Sequence, residues 1–345
     1  MKRTIAKLTA PRTFEFAEEE IPVLGAKQVL VKTVSVGLCH SDLPAYLGTS
    51  AYGLGPKGRY VMTNEVTYPL LKGHEPVGQV VDVGSEVKNF KVGDYVTGHM
   101  QGMFATYFIF TEGDRFVVIP KTDKPVETCL GEPSTCCTFI AQKAAVKPGD
   151  RVAIVGAGFM GLLAMCGLNA PFLKDVVAID FDDERLEFAK KFGATRVVNP
   201  GKEDLEDAVF GITDNKGFDV VIELTGSLKG LGTAAKICRT LQFGDTNSGA
   251  RIVSSSVYAK PETWDPEVGH QLMFHAPEIQ VAHPWGITDY NATLEASVNM
   301  FINGTYPLDQ MVTHRVPFEN IDQGFRWLIS KIPRYIKGIV TFDNY

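Results

Sequence analysis

The chain has 345 residues, which is long enough for two domains that each bury a sizeable core. Its 34 basic and 40 acidic residues give no excess of positive charge, so we expect neither nucleic acid nor a membrane as a partner. The sequence has no run of about 18 apolar residues, and its six cysteines contain no C-x-x-C pair. These features predict a cytoplasmic protein, kept in a reducing compartment, that acts on small molecules.

The first part of the chain, to about Lys147, carries short strand patterns. Segments such as QVLVKTVSVG, PVGQVVDVG and RFVVIP alternate apolar and polar residues, and glycine or proline separates them. Such a pattern predicts an all-β domain whose strands form a partly closed barrel.

Beyond Lys147 the pattern changes to apolar strands that alternate with helical periods. The segments RVAIV, DVVAID, FDVVIEL and RIVSSSV read as buried strands, and stretches such as DERLEFAKKFG between them carry apolar residues at helical spacing. This alternation predicts a doubly wound parallel sheet. After about Trp285 follow two amphipathic helices and a closing strand, GIVTF, which we expect to return to the first domain. We therefore predict an α/β protein with one domain of residues 1–147 and 286–345 and another of residues 148–285.

Three short stretches of the first domain carry residues that could bind a metal. Cys39 follows a strand in VGLCHSDLPAY, His74 and Glu75 are adjacent in KGHEPVG, and Glu132 lies in LGEPSTCC. Thiolate, imidazole and carboxylate groups together suit a catalytic zinc. Each residue alone also has an ordinary interpretation, as a buried cysteine, a solvated turn or a helix cap. We expect Ser41, two residues beyond Cys39 along an extended chain, to project on the same side as Cys39.

A glycine motif follows the strand RVAIV and opens a helix. Its residues are Gly156, Gly158, Phe159, Met160 and Gly161. The strand DVVAID then ends in Asp180, nineteen residues past the last glycine, where a carboxylate would bind both hydroxyls of an adenosine ribose. This context predicts a dinucleotide site that prefers NAD, because the carboxylate would repel a 2′-phosphate. Arg185 is the nearby cation that could receive such a phosphate. A tight turn without a ligand, or a nucleoside-binding methyltransferase, is the alternative.

The sequence resembles the zinc-dependent medium-chain dehydrogenases and reductases, the alcohol and polyol dehydrogenase superfamily. The resemblance covers essentially the whole chain and rests on GLCHSD, GHEPVGQVVDVGSEVKNFKVGDYV, GFMG, FDVVIELTG and GFRWL. It implies a GroES-like catalytic domain made from both ends of the chain, a Rossmann domain between them, and one catalytic zinc. Cys39 and His74 match zinc ligands, and Glu75 matches a carboxylate that binds the zinc directly or exchanges with the substrate. Glu132 matches the remaining ligand of the sorbitol and threonine dehydrogenase branch, and His40 matches a position that contacts the cofactor pyrophosphate in some relatives.

The chain departs from this family in two places. The segment GDYVTGHMQGMFATYFIF lacks the cysteine-rich lobe, so we predict no structural zinc. The position of the family's relay histidine holds Pro44, so the substrate proton leaves by another route, such as solvent. The long loop of residues 49–71 either covers the substrate or forms a surface or oligomer element.

Together these features predict a zinc-dependent alcohol dehydrogenase that transfers hydride between NAD and a secondary alcohol, with Ser41 and Glu75 as catalytic residues. The alcohol would be a polyol, a cyclitol or a sugar, and the product a ketone. A zinc-free quinone or enoyl reductase of the same superfamily, or a catalytically silent nucleotide-binding protein, is the alternative. An apolar segment near residues 279–282 reads as an edge strand, so we expect a homodimer or homotetramer.

Overall fold

The structure, a computed structural model, describes residues 1–54, 60–168, 171–241, 244, 249–256, 258, 263, 265–330 and 332–344. The chain divides into two compact units: the first is Met1–Ser134 with Tyr290–Tyr345, and the second is Thr135–Asp289. The first division falls within a helix, Gly131–Ala144. The domain limits 1–147, 286–345 and 148–285 therefore stay a prediction. Part of the 49–71 loop, residues 55–59, lies outside the described residues.

Short strands dominate the beginning of the chain: β1 Lys2–Ala10, β2 Thr13–Glu20, β3 Gln28–Gly37, α1 Leu43–Leu47, β4 Ala51–Leu54, β5 Tyr60–Thr63, β6 Leu70–Leu71, β7 Pro76–Val83, β8 Tyr95–Gly98, β9 Tyr107–Thr111, β10 Phe116–Ile119 and α2 Gly131–Ala144. Strands and helices then alternate: β11 Arg151–Val155, α3 Phe159–Leu168, β12 Asp175–Ile179, α4 Asp183–Lys191, β13 Arg196–Val198, α5 Leu205–Ile212, β14 Val220–Glu223, α6 Leu228–Ile237, β15 Arg251–Ser254, α7 Pro266–His275 and β16 Glu278–Val281. The last part contains α8 Tyr290–Ile302, α9 Leu308–Met311, β17 Val312–Pro317, α10 Ile321–Ile329 and β18 Lys337–Thr341.

The first unit is organised around a seven-stranded sheet. Its strand order is β10-β8-β7-β3-β18-β17, and β9 also pairs with β3. Strand β3 runs antiparallel to β7, β9 and β18, so the closing strand of the chain lies beside an early one. Three of the four valines of β3, Val29, Val31 and Val36, are fully buried in a core that also contains Phe104 and Phe325. Burying one such side chain contributes about 1.5–3 kcal/mol to folding. A register shift of one residue would expose these side chains, so their burial sets the strand register, and the register in turn positions the site residues.

The second unit contains a six-stranded, fully parallel sheet in the order β13-β12-β11-β14-β15-β16. Its two central strands are buried along their whole length, β11 from Arg151 to Val155 and β14 from Val220 to Glu223, as parallel strands covered on both faces require. The α/β class predicted from the sequence is confirmed. The strand order reverses between β11 and β14, where open parallel sheets bind ligands at the carboxyl ends of their strands.

At one edge of this sheet, β16 pairs with β15, and among the described residues no strand pairs with its other side. Two of its apolar side chains are exposed, Ile279 by 47% and Val281 by 69%. In the described part of the chain, no helix is both long enough and apolar enough to cross a membrane.

Candidate functional site

The register of three neighbouring strands brings one end of each to the same place in the first unit. Strand β3 pairs with β7 so that Val36 faces Pro76, and the Gly37 amide donates to the Glu75 carbonyl at 3.0 Å. Strand β18 pairs with β3 on its other side, with Ile339 opposite Gly37. The residues just after β3, just before β7 and at the start of β18 therefore meet.

Three possible metal ligands lie together at this point. The ligand atoms of Cys39, His74 and Glu75 are all within 4.8 Å of one another, and His74 and Glu75 are buried. The Ser41 Oγ atom donates to the Cys39 Sγ atom at 3.2 Å and lies 3.5 Å from His74 Nε2. The expected extended chain is wrong here, because a 3-10 helix spans His40–Asp42. Ser41 nevertheless lies on the side of Cys39, since this tight turn brings the two side chains together.

Asp42 holds the far side of the His74 ring. Its Oδ2 atom lies 3.4 Å from His74 Nδ1, and its Oδ1 atom lies 2.8 Å from the ammonium of Lys72. Burial opposes the charge of Asp42, but the charges of His74 and Lys72 outweigh it and lower the pKa of this carboxyl far below its usual range. Burial likewise opposes a charge on His74, yet Asp42 and Cys39 raise the pKa of the imidazole well above its usual value. Nδ1 thus faces the Asp42 carboxylate, and Nε2 is the nitrogen on the side of Ser41 and the cluster.

Glu75 is paired with a lysine that the sequence analysis did not single out. The Lys337 ammonium lies 2.8 Å from Oε1 and 2.7 Å from Oε2 of this carboxylate, and it also donates to the Leu38 carbonyl at 2.9 Å. Both side chains are at most 5% exposed. Burial disfavours the charged lysine, but Glu75 and Cys39 prevail and raise the pKa of Lys337 to about 12. A Cβ atom at Gly37 would lie 1.8 Å from Glu75 Oε2, so only glycine leaves room for this pair.

The donor set fits a zinc ion. A thiolate, the free nitrogen of an oriented imidazole and a carboxylate converge, as in catalytic zinc sites with about three protein ligands. Glu132 is buried in the first turn of α2, but the cluster found among the described residues does not include it. His40 is exposed in the 3-10 helix beside the cluster. The roles of these two residues stay predictions.

One feature of the sequence could have indicated Lys337. It is the only charged residue of β18, KGIVT, a strand whose other residues are small or apolar. A second residue, His99, follows β8, and its ring centroid lies 6.0 Å from that of His74. No motif marked His99, and only the fold places it beside the cluster.

In the second unit, the glycine motif forms the turn between β11 and α3. Gly156 has a φ of +95°, which a residue with a side chain rarely adopts, and a Cβ atom at Gly161 would lie 2.0 Å from the Gly156 carbonyl oxygen. A Cβ atom at Gly158 would meet nothing within 4 Å, so the protein itself does not require glycine there. The first and third glycines thus shape the turn, while the second leaves open space. Phe159 and Met160, both partly exposed, begin α3.

Asp180 lies at the carboxyl end of β12 and connects two turns. Its Oδ2 atom accepts from the Ala157 amide at 2.8 Å, and its Oδ1 atom accepts from the Asp182 amide at 2.9 Å. Arg185, about half exposed, places Nη1 3.6 Å from Oδ2. The carboxylate is therefore held beside the glycine motif, and the nearest arginine faces it.

The chain matches two family profiles, the alcohol dehydrogenase GroES-like domain over residues 25–168 and the zinc-binding dehydrogenase domain over residues 155–244. It is 30% identical over 348 residues to a probable D-xylulose reductase A of Arthroderma otae, with 90% of each chain covered. It is 31% identical over 253 residues to the sorbitol dehydrogenase of Bacillus subtilis, which covers 64% of this chain and 69% of that one. A crystal structure of an oxidoreductase of unknown specificity from Escherichia coli superposes with a TM-score of 0.83 at 24% identity and covers all of both chains.

These similarities confirm the resemblance seen in the sequence, including a GroES-like domain and a Rossmann-like parallel sheet. They also support an oxidoreductase of the alcohol or polyol dehydrogenase type. The chain belongs to the zinc-type medium-chain alcohol dehydrogenase family.

Proposed function

We propose that this protein is a zinc- and NAD-dependent dehydrogenase that transfers hydride between NAD and a secondary alcohol of the polyol, cyclitol or sugar class. The observation that carries the proposal is the cluster of Cys39, His74 and Glu75, whose ligand atoms lie within 4.8 Å of one another. A zinc-free reductase would have no need of a thiolate, an imidazole and a carboxylate at one point.

Cys39 and His74 would hold one zinc ion per chain, and either Glu75 or Glu132 would complete its shell. When bound, zinc acts as a Lewis acid that lowers the pKa of a substrate hydroxyl, and the nicotinamide accepts the hydride. Asp42 faces His74 Nδ1, so Nε2 would be the nitrogen that binds the ion. Lys337 holds Glu75 in place, so this carboxylate can approach the ion only by weakening a buried ion pair.

We propose that Ser41 receives the proton of the substrate hydroxyl. Its Oγ atom lies within 3.5 Å of both the Cys39 and His74 ligand atoms, which supports this role because Ser41 would border an ion held by those two residues. A hydroxyl can accept one proton while it donates another. Because Pro44 stands where the family has a relay histidine, we propose that Ser41 passes this proton to solvent or to the cofactor ribose.

The Gly156–Gly161 turn would bind the dinucleotide pyrophosphate, aided by the amino end of α3. Gly158 supports this assignment, because its open side would let the backbone approach the phosphates. Asp180 would bind the adenosine ribose and disfavour a 2′-phosphate. Its contact with Arg185 supports NAD further, because the guanidinium that could receive such a phosphate already faces a carboxylate. We also propose that two copies associate through the exposed edge strand β16, and that the protein is cytoplasmic.

A substrate panel would test the proposal directly. Purified protein with a measured zinc content is mixed with NAD and with sorbitol, xylitol, 2,3-butanediol, myo-inositol or L-threonine, and NADH formation is followed at 340 nm. Turnover with at least one secondary alcohol, lost on treatment with a chelator and restored by zinc, is the expected result. The Cys39→Ser variant is the matched control and should retain NADH binding but lose zinc and turnover. Full turnover by the zinc-free protein would contradict the proposal.

A further inference from the structure

A buried carboxylate lies at the carboxyl end of β14, outside the metal cluster and outside the glycine motif. Glu223 is 0% exposed. Its Oε1 atom accepts from the Thr225 amide at 2.7 Å and from the Thr225 hydroxyl at 2.6 Å. Its Oε2 atom accepts from the Tyr258 hydroxyl at 2.6 Å and from the Ser254 hydroxyl at 3.4 Å. Each oxygen therefore binds two donors, and the two pairs of donors come from different segments.

The first pair fixes the loop that packs against the glycine motif. A Cβ atom at Gly156 would lie 3.1 Å from the Leu224 carbonyl and from the Thr225 methyl group, so this loop touches the first glycine directly. On the other side, a Cβ atom at Gly230 would lie 2.0 Å from the Thr225 hydroxyl and 2.8 Å from Glu223 Oε1. Thr225 thus lies between the glycine turn and helix α6, and the Glu223 carboxylate packs against the same helix at Gly230.

The second pair ties this loop to the segment that follows β15. The Tyr258 and Ser254 hydroxyls are 2.8 Å apart and share Glu223 Oε2. The Ser256 hydroxyl also accepts from the Gly226 amide at 3.0 Å. Burial, followed by the bond to Glu223, raises the pKa of Tyr258, so this hydroxyl keeps its proton at neutral pH and donates.

Both segments lie at the carboxyl edge of the parallel sheet, beside the point where the strand order reverses between β11 and β14. A ligand at this edge would lie on the glycine turn and on the loops after β14 and β15. We propose that Glu223 is a positioning residue for the dinucleotide: through Thr225 and Tyr258 it holds the loops after β14 and β15 against the Gly156 turn in the binding conformation. This inference rests on the proposed function only in assuming that the second unit binds a nicotinamide dinucleotide.

The proposal predicts that the network is assembled before the cofactor binds, so that breaking it weakens binding rather than a later step. Glu223→Gln keeps the size of the side chain but turns one acceptor into a donor facing other donors. Thr225→Val removes one hydroxyl from a side chain that is otherwise exposed, and it is the milder variant. Thr233→Val, which removes a hydroxyl from the exposed side of α6, serves as the matched control.

The test is a titration of each zinc-loaded protein with NADH, followed by the nicotinamide fluorescence, together with the melting temperature without ligand. We expect the Kd of NADH to rise about tenfold in Glu223→Gln and about fivefold or more in Thr225→Val, with Thr233→Val like wild type. A Kd within about twofold of wild type in Thr225→Val overturns the inference, even if melting changes, because the network would then be only structural. Thr225→Val alone decides if Glu223→Gln does not fold. If the wild-type protein binds neither NADH nor NADPH, the proposed function fails first.

Discussion

Replacing Lys337 by methionine would expose how strongly the metal cluster depends on its buried ion pair. Methionine keeps most of the length of the side chain but removes its charge. Glu75, whose side chain is 1% exposed, would then be a buried carboxylate without its cation. Breaking a buried pair by removing one partner costs about 3–5 kcal/mol, because the remaining charge is left unpaired. We therefore expect Lys337→Met to lower the free energy of unfolding of the zinc-free protein by about 3–5 kcal/mol.

Urea denaturation of zinc-free protein at 25 °C, followed by circular dichroism, measures this loss. The double variant Glu75→Gln with Lys337→Met should recover most of it, since no unpaired charge remains. Zinc should stabilise Lys337→Met more than wild type, because the ion supplies the positive charge that Glu75 has lost.

The control for this experiment is Lys2→Met. Lys2 pairs with Glu18 at 2.8 Å, close to the distance in the buried pair, but both side chains are more than half exposed. The free energy of unfolding of Lys2→Met should stay close to that of wild type, because exposed ion pairs contribute little to stability. A loss below about 1 kcal/mol in Lys337→Met, or a double variant no more stable than the single one, would refute the reasoning.

Four further predictions concern pH, the cofactor, the proton and association. In the zinc-free protein, the raised pKa of His74 stabilises the folded state fully below pH 6.5, and this stabilisation is lost as the pH rises. The lowered pKa of Asp42 stabilises the folded state above pH 3.8. Unfolding at several pH values should show stability falling above pH 6.5, whereas zinc affinity should rise with pH because the ion displaces a proton from His74; a pH-independent affinity would contradict this. Asp180→Ser should raise the KM for NAD and lower that for NADP, and a wild-type enzyme faster with NADP would overturn the assignment. Ser41→Ala should slow alcohol oxidation on the order of a hundredfold, most at low pH, with zinc content unchanged, and a wild-type rate at every pH would remove Ser41 from the proton path. Val281→Lys should shift a dimer or tetramer to smaller species in light scattering, and a wild-type monomer at micromolar concentration would exclude association through β16.

The sequence determined the features that depend on neighbouring residues. Alternating strands, buried strands between helical periods and the glycine motif after RVAIV all follow from local spacing, and the structure has strands and helices in that order. Asp180 could also be predicted from local spacing, because a single strand–helix–strand unit leads to it from the strand before the glycine motif. The candidate ligands Cys39, His74 and Glu75 could be predicted because the sequence shows both their metal-binding side chains and the strand patterns beside them.

Tertiary structure decided which of these groups meet and what else joins them. Lys337 lies 262 residues from Glu75, and only the pairing of β18 beside β3 brings them into contact. The 3-10 turn at His40–Asp42, rather than an extended chain, places Ser41 beside Cys39. Glu223 contacts Tyr258 because β14 and β15 pair in parallel. Strand register is set by the burial of whole faces against a core, a property summed over distant residues. Local spacing therefore predicts the elements, while the partners of a buried charge follow only from the way those elements pack.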